Sequence, residues 1–116
     1  MQAANDIPHI SPEEALARQR RGAVVLIDVR EPDELEVVAI EGAVNVPVSA
    51  FDPAAILAAA GDDKDIVFFC KMGGRAMNAW QYFTRHTGRD AMCMTGSITA
   101  WAAQGLPVVE RPPVKE

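Results

Sequence analysis

The chain has 116 residues, of which 49% are hydrophobic and 23% charged, and its 11 basic and 16 acidic residues give a formal net charge of −5 at pH 7. This length and composition are typical of one globular domain that buries its own core, and they exclude a disordered chain. The acidic balance argues against a general affinity for nucleic acid, so any affinity for anions must be local.

The first half of the chain predicts strands that alternate with helices. A short strand at 8–10 leads into a helix that Ser11 can cap and that ends near Gly22. The apolar run at 23–27 is continuous, which is typical of a strand covered on both faces of a parallel sheet. Three shorter elements follow: a helix at 32–36, a strand at 43–47 and a helix at 53–60.

The second half predicts two more strand and helix units. An apolar strand ends at Phe69 and precedes a helix over 75–86, and a strand at 91–94 precedes a last helix that ends at 105–107. Because strands alternate with helices, we predict an α/β fold with a mainly parallel sheet and helices on both faces. The chain then divides into an N-terminal tail at 1–8, a domain at 9–110 and a C-terminal tail at 111–116.

Cys70 lies at the carboxyl end of the predicted central strand, directly before a glycine-containing turn and a helix. Ligands of α/β sheets bind at this edge, where the free N–H groups and positive dipole of the next helix favour an anion. Gly73 and Gly74 allow the backbone to curl with its amides pointing inward, and Lys71 and Arg75 add positive charge. This combination favours a reactive thiolate over an ordinary buried cysteine.

The cysteine content and the ends of the chain bear on location. Cys70 and Cys93 are too few for a disulfide framework and form no CxxC pair, so no metal or dithiol redox site is predicted. The first residues lack the basic start and apolar run of a signal peptide, and no apolar stretch is long enough to span a bilayer. We therefore expect a cytoplasmic protein without membrane association.

Five segments resemble the motifs of single-domain rhodaneses, a family of sulfurtransferases. They are IDVREPDE at 27–34, IEGAVNVP at 40–47, CKMGGR at 70–75, GSITAW at 96–101 and GLPV at 105–108. They follow the order of the family and extend over about residues 9–109. The resemblance implies a rhodanese-like fold with a five-stranded, mainly parallel sheet.

The resemblance also implies a chemistry. The Cys70 thiolate attacks thiosulfate, sulfite leaves, and a persulfide on Cys70 passes its sulfur to cyanide or a thiol without a cofactor. The substrate-binding residues are expected in the loop after the nucleophile, at Lys71, Met72, Gly73, Gly74 and Arg75. Asp28 and Arg30 match a family signature and are expected to support the fold of the loops. The implied partners are a small anionic sulfur donor and a thiol acceptor, with a protein donor or acceptor also compatible.

Several assignments stay open at this stage. Arg75 either contacts substrate or braces the loop by pairing with Asp28 or Glu31, whereas Cys93 is expected in the core. The chain has Val38-Ala39 where family members often carry Gly-His, which affects the pocket rim. It also has Ser97 where the family frequently has glycine, and Ala76 in place of a frequent small hydroxyl residue.

Two other functions are compatible with parts of the pattern. Related folds place a Cys…Arg loop around a tetrahedral oxyanion in phosphatases and arsenate reductases, but those loops are longer than the four residues between Cys70 and Arg75. A rhodanese-like module that only binds a partner or senses persulfide is the second alternative. Inactive members of the family typically lose the cysteine, which this chain retains.

Overall fold

A five-stranded parallel sheet forms the centre of the computed structural model, which describes residues 7–110. Its strands in spatial order are β1 (His9–Ile10), β6 (Met92–Met94), β5 (Asp65–Phe69), β2 (Val24–Asp28) and β4 (Val44–Asn45). All four strand pairings are parallel, and β5 lies in the middle with β2 along its full length. The predicted α/β fold with a parallel sheet is therefore confirmed.

Helices cover both faces of this sheet. They are α1 (Pro12–Arg20), α2 (Pro32–Leu35), α3 (Pro53–Ala60), α4 (Gly74–Thr87), α5 (Ser97–Ala103) and a 3-10 helix at Val48–Ala50. The buried side chains of α3 and α4 belong to one core cluster, and those of α1 and α5 belong to a second cluster on the opposite face. Each crossover thus returns the chain to a parallel strand with a helix packed above or below the sheet.

The side chains of β5 alternate between these two cores. Ile66 and Phe68 lie in the α4-side cluster, whereas Val67 and Phe69 lie in the α1-side cluster, and all four are buried. Burial of each such side chain stabilises the fold by about 1.5–3 kcal/mol. By the same alternation, Cys70 points to the face that α4 covers.

Most element boundaries agree with the sequence predictions. The helix at Pro53–Ala60 has the predicted limits, and Ser11 accepts a hydrogen bond from the Glu14 amide as the cap of α1. A small antiparallel pair was not predicted: β3 (Val38–Ala39) pairs with β7 (Val109–Glu110). Each of its strands has two residues, which is too short for a periodic pattern to show in a sequence. The positions where the family often has Gly-His thus form an edge strand.

The structure bears on the predicted N-terminal tail and on membrane-spanning helices. Ile7, assigned to the N-terminal tail, is buried in the α4-side core, so the packed region begins before His9. The rest of that tail and the C-terminal tail at 111–116 lie outside the described residues. None of the helices within 7–110 combines the length and the apolar character needed to cross a membrane.

Candidate active site

Cys70 follows the last residue of β5, and α4 begins four residues later at Gly74. The cysteine therefore lies in the crevice at the carboxyl end of the sheet, as its sequence context predicted. It is only 1% exposed, although Lys71 and Met72 next to it are both exposed. The loop thus encloses the sulfur and presents its own outer residues to solvent.

Backbone amides converge on the sulfur of Cys70. The Gly73 amide donates to Cys70 Sγ at 3.0 Å, and the Ala76 amide in the first turn of α4 donates to it at 3.4 Å. Gly73 has a φ of +131°, a conformation that residues with a Cβ rarely adopt. Gly74 has no positive φ and starts the helix, so only the first of the two glycines is needed for its conformation.

The N-terminal turn of α5 is hydrogen-bonded to the start of the Cys70 loop. The amides of Ile98 and Thr99 donate to the carbonyls of Cys70 and Lys71, at 3.1 and 3.0 Å, and the Thr99 hydroxyl adds a bond of 2.8 Å to Lys71. Ser97 Oγ accepts the Cys70 amide at 3.1 Å. Sequence reasoning gave no role to these residues, although the motif at 96–101 contains them.

Asp28 and Arg30 form a buried ion pair behind the loop. Their exposed fractions are 0% and 2%, and Arg30 Nη2 lies 2.8 Å from Asp28 Oδ2. Further hydrogen bonds surround this pair. Arg30 also donates to Val38 O, and the Asn45 side chain donates to the carbonyls of residues 28 and 30. The Val29 amide between them donates to Phe69 O, which ties this turn to the residue before Cys70.

Arg75 pairs with Glu34. Asp28 and Glu31 are the partners that the sequence analysis named for a bracing role, the alternative to substrate contact that it left open. Arg75 Nη1 and Nη2 lie 2.7 and 3.0 Å from the two carboxylate oxygens of Glu34. Asp28 is occupied by Arg30, whereas Glu31 bonds with Ser49, so neither acid is available. The hydrogen bond from Arg75 lowers the pKa of Glu34 to about 2, and the same bond raises the pKa of Arg75.

The Glu34 pairing predicts a defined pH dependence of stability. Because the pKa of Glu34 is depressed from 4.5 to about 2, its contribution is complete above pH 4.5 and is lost as the pH falls toward 2. Since Glu34 and Arg75 are 29% and 35% exposed, this contribution should be about 0.5–1 kcal/mol. Urea unfolding of wild type and Glu34→Gln across this pH range measures it, with Asp33→Asn as the control. A difference that stays constant throughout the range would contradict the assignment.

The remaining candidate residues do not join the site. Cys93 is buried in the α4-side core, and its thiol donates to Ala76 O at 3.6 Å. Burial, followed by the negative charge of Cys70, raises the pKa of Cys93 to about 12, so it stays protonated at neutral pH. Within residues 7–110, no group of three or more His, Cys, Asp and Glu side chains has the arrangement of a metal site.

A comparison with protein families decides the identity of this fold and loop. The sequence model of the rhodanese-like domain family matches residues 11–104, most of the described chain. The chain belongs to the rhodanese-like domain family.

Relatives of this rhodanese-like domain agree with that assignment. A probable adenylyltransferase/sulfurtransferase of Mycobacterium tuberculosis is 37% identical over 72% of this chain and 21% of its own length. The thiosulfate:glutathione sulfurtransferase of Saccharomyces cerevisiae is 31% identical over 71% of this chain and 67% of its own length. A rhodanese-related protein of Thermoplasma volcanium superposes with a TM-score of 0.73 and 26% identity, covering 88% of this chain and 97% of that one. The chain spans between about a fifth and about half of the length of the first curated relatives it matches.

Proposed function

We propose that this rhodanese-like domain is a sulfurtransferase that moves a sulfane sulfur from thiosulfate, or a related donor, to a thiol or cyanide through a persulfide on Cys70. The observation that carries the proposal is the convergence of two backbone amides on Cys70 Sγ, at 3.0 and 3.4 Å. Such donors stabilise negative charge on the sulfur, and the thiolate is the nucleophilic form of cysteine. In this proposal Cys70 is the catalytic residue.

The reaction has two half-reactions at the same sulfur. The Cys70 thiolate attacks the outer sulfur of thiosulfate, the sulfur–sulfur bond of the donor breaks, and its electron pair leaves with sulfite. The acceptor thiolate or cyanide then attacks the outer sulfur of the persulfide. The sulfur–sulfur bond of the persulfide breaks, and its electron pair returns to Cys70 Sγ. Covalent catalysis of this kind predicts ping-pong kinetics.

The loop backbone supports the choice of sulfur as the transferred atom. The amides of Lys71, Met72, Gly74 and Arg75 have no hydrogen-bond partner among the described residues, so they are available to the outer sulfur of a persulfide. Only four residues separate Cys70 from Arg75, and the sulfur is almost completely enclosed. This short, closed loop suits a single terminal sulfur better than the bulkier phosphoryl group that a phosphatase would bind.

Donor recognition falls mainly to Lys71 and the loop amides. Arg75 is held by Glu34, whereas Lys71 is exposed and has no ion pair within residues 7–110. We assign to Lys71 the attraction of a small anionic donor and to Arg75 the bracing of the loop. The name of the yeast relative, a thiosulfate:glutathione sulfurtransferase, supports thiosulfate and a low-molecular-weight thiol as the first donor and acceptor to test. Met72 is exposed at the loop surface, where it could contact a protein donor or acceptor as well.

Sulfite release in a single turnover tests this proposal. Reduced protein mixed with excess thiosulfate and no acceptor should release one sulfite per Cys70. Cyanide added after the excess thiosulfate has been removed should yield the same amount of thiocyanate. If folded, reduced protein released no sulfite from thiosulfate and no glutathione from glutathione persulfide, a module that only binds a partner would be favoured.

The backbone of Gly73 provides a test of the amide contribution. Gly73→Val should reduce the rate of persulfide formation by roughly tenfold or more, because a strained valine displaces the loop amides that are available to the outer sulfur, and losing one preorganised donor has at least this effect. A valine Cβ meets no atom within 4 Å, so the effect comes from the strained φ of +131° and the displaced amide, not from a clash. Stopped-flow measurement of sulfite release follows the rate.

Gly74→Ala is the matched control for that variant. Gly74 has an ordinary φ at the start of α4, and a Cβ there also meets no atom within 4 Å. Its rate should stay close to that of wild type. Equal rates in the two variants would show that the arrangement of the loop amides set by Gly73 does not matter.

A further inference from the structure

Ser97 has a backbone conformation that its side chain makes unfavourable. Its φ is +55°, and it is the only residue other than glycine with a positive φ within 7–110. Glycine would adopt this conformation without a steric penalty. Strained residues of this kind persist only where the surrounding structure enforces them, and they cluster at functional sites. The hydroxyl of Ser97 should therefore have a role that glycine cannot fill.

Among the described residues, the hydroxyl of Ser97 forms hydrogen bonds only with Cys70. Ser97 is 0% exposed, and its Oγ accepts the Cys70 amide at 3.1 Å while lying 3.9 Å from Cys70 Sγ. Because the amide occupies a lone pair of the oxygen, the hydroxyl proton remains available to donate. The sulfur is the acceptor that the structure offers it, in addition to the amides of Gly73 and Ala76.

We propose that Ser97 is a catalytic residue that stabilises Cys70 Sγ as the leaving group in the second half-reaction. This inference rests on the proposed sulfurtransferase function. When the acceptor forms its bond to the outer sulfur, the persulfide bond breaks and its electron pair moves to Sγ. Negative charge then develops on the atom that the Ser97 hydroxyl faces, and a donor placed in advance lowers the barrier.

The first half-reaction has the opposite requirement. Cys70 Sγ begins as a thiolate and loses its negative charge as the bond to the donor sulfur forms. A hydrogen bond to the thiolate stabilises this starting state more than the transition state, so it does not accelerate the step. Removal of the hydroxyl should therefore slow sulfur delivery without slowing persulfide formation, a separation that a purely structural role of Ser97 would not produce.

Separate single-turnover rates for the two half-reactions test this role in Ser97→Ala and Ser97→Gly. Sulfite release from thiosulfate reports the first step, and thiocyanate formation from the purified persulfide form and cyanide reports the second. We expect both variants to deliver sulfur about tenfold more slowly and to form the persulfide at least as fast as wild type. Ser97→Gly should be more stable in urea than Ser97→Ala, because glycine relieves the strain at φ +55°.

Thr99→Val is the matched control. It removes a neighbouring hydroxyl that bonds with Lys71 O at 2.8 Å and does not contact the sulfur, so the ratio of the two rates should stay as in wild type. If the Ser97 variants lost rate equally in both half-reactions, or formed the persulfide normally and delivered its sulfur at the wild-type rate, the role of Ser97 would be overturned and the proposed function would stand. Failure of wild type to form a persulfide with any sulfane donor would instead overturn the proposed function together with this inference.

Discussion

Thiosulfate should add one sulfur atom to the wild-type protein and to Cys93→Ser, and none to Cys70→Ser. In the first two proteins the Cys70 sulfur remains beside the amide donors of Gly73 and Ala76. A serine hydroxyl at position 70 is close in shape but is not ionised at neutral pH and does not form a persulfide. Intact mass after brief incubation with thiosulfate distinguishes the three proteins, and a thiol or cyanide should remove the added mass.

Cys93→Ser is the matched control because it removes the other cysteine of the chain. Cys93 is buried and its pKa is raised to about 12, so its thiol is unreactive toward the donor at neutral pH. A serine there can still donate to Ala76 O, as the thiol does. If sulfur were added to Cys70→Ser, or if only Cys93→Ser failed to gain sulfur, the assignment of Cys70 as the nucleophile would be wrong.

Replacement of Arg30 should have the largest effect on stability. Arg30→Ala leaves the Asp28 carboxylate buried without its partner, and breaking such a pair typically costs about 3–5 kcal/mol. Because a domain has only about 5–15 kcal/mol of stability in total, this loss should shift the urea midpoint strongly. The fraction that remains folded should still form the persulfide, since Arg30 bonds with Asp28 and Val38 and not with the sulfur.

Arg18→Ala is the corresponding control at the surface. Arg18 pairs with Glu14 one turn away on α1 at the same distance of 2.8 Å, but these side chains are 35% and 46% exposed. An exposed pair of this kind contributes little to stability, so the midpoint should hardly change. Equal destabilisation by Arg30→Ala and Arg18→Ala would show that burial of the Asp28 pair does not set its contribution.

The length of the Cys70 loop addresses one of the two alternatives raised by the sequence, and these measurements address the other. A phosphatase requires a loop that encloses a phosphoryl group, whereas here the Cys70 loop has four intervening residues and closes on a single sulfur. A module that only binds a partner would fold normally but release no sulfite and add no sulfur to Cys70. Mass and sulfite data therefore separate transfer activity from binding.

The sequence by itself determined the order of the helices and of the strands of the main sheet, the position of Cys70 and the family. The helix at Pro53–Ala60 and the unit formed by β5, the Cys70 loop and α4 were predicted because apolar periodicity, caps and glycine turns are properties of neighbouring residues. The five family motifs likewise lie in continuous segments. Local chemistry of this kind can be recognised before any packing is known.

Only the tertiary structure decided which side chains meet at the site. Glu34 and Arg75 are 41 residues apart, and Ser97 and Cys70 are 27 apart, so no local pattern links them. For a bracing role of Arg75, the sequence analysis named Asp28 or Glu31 as the partner, and no feature of the sequence distinguished these acids from Glu34. Which acid reaches the guanidinium depends on how α2 lies against α4, and which hydroxyl reaches the sulfur depends on how α5 begins beside β5. These choices are made by packing across the sheet, because side chains distant in the chain become neighbours only when the elements that carry them are in place.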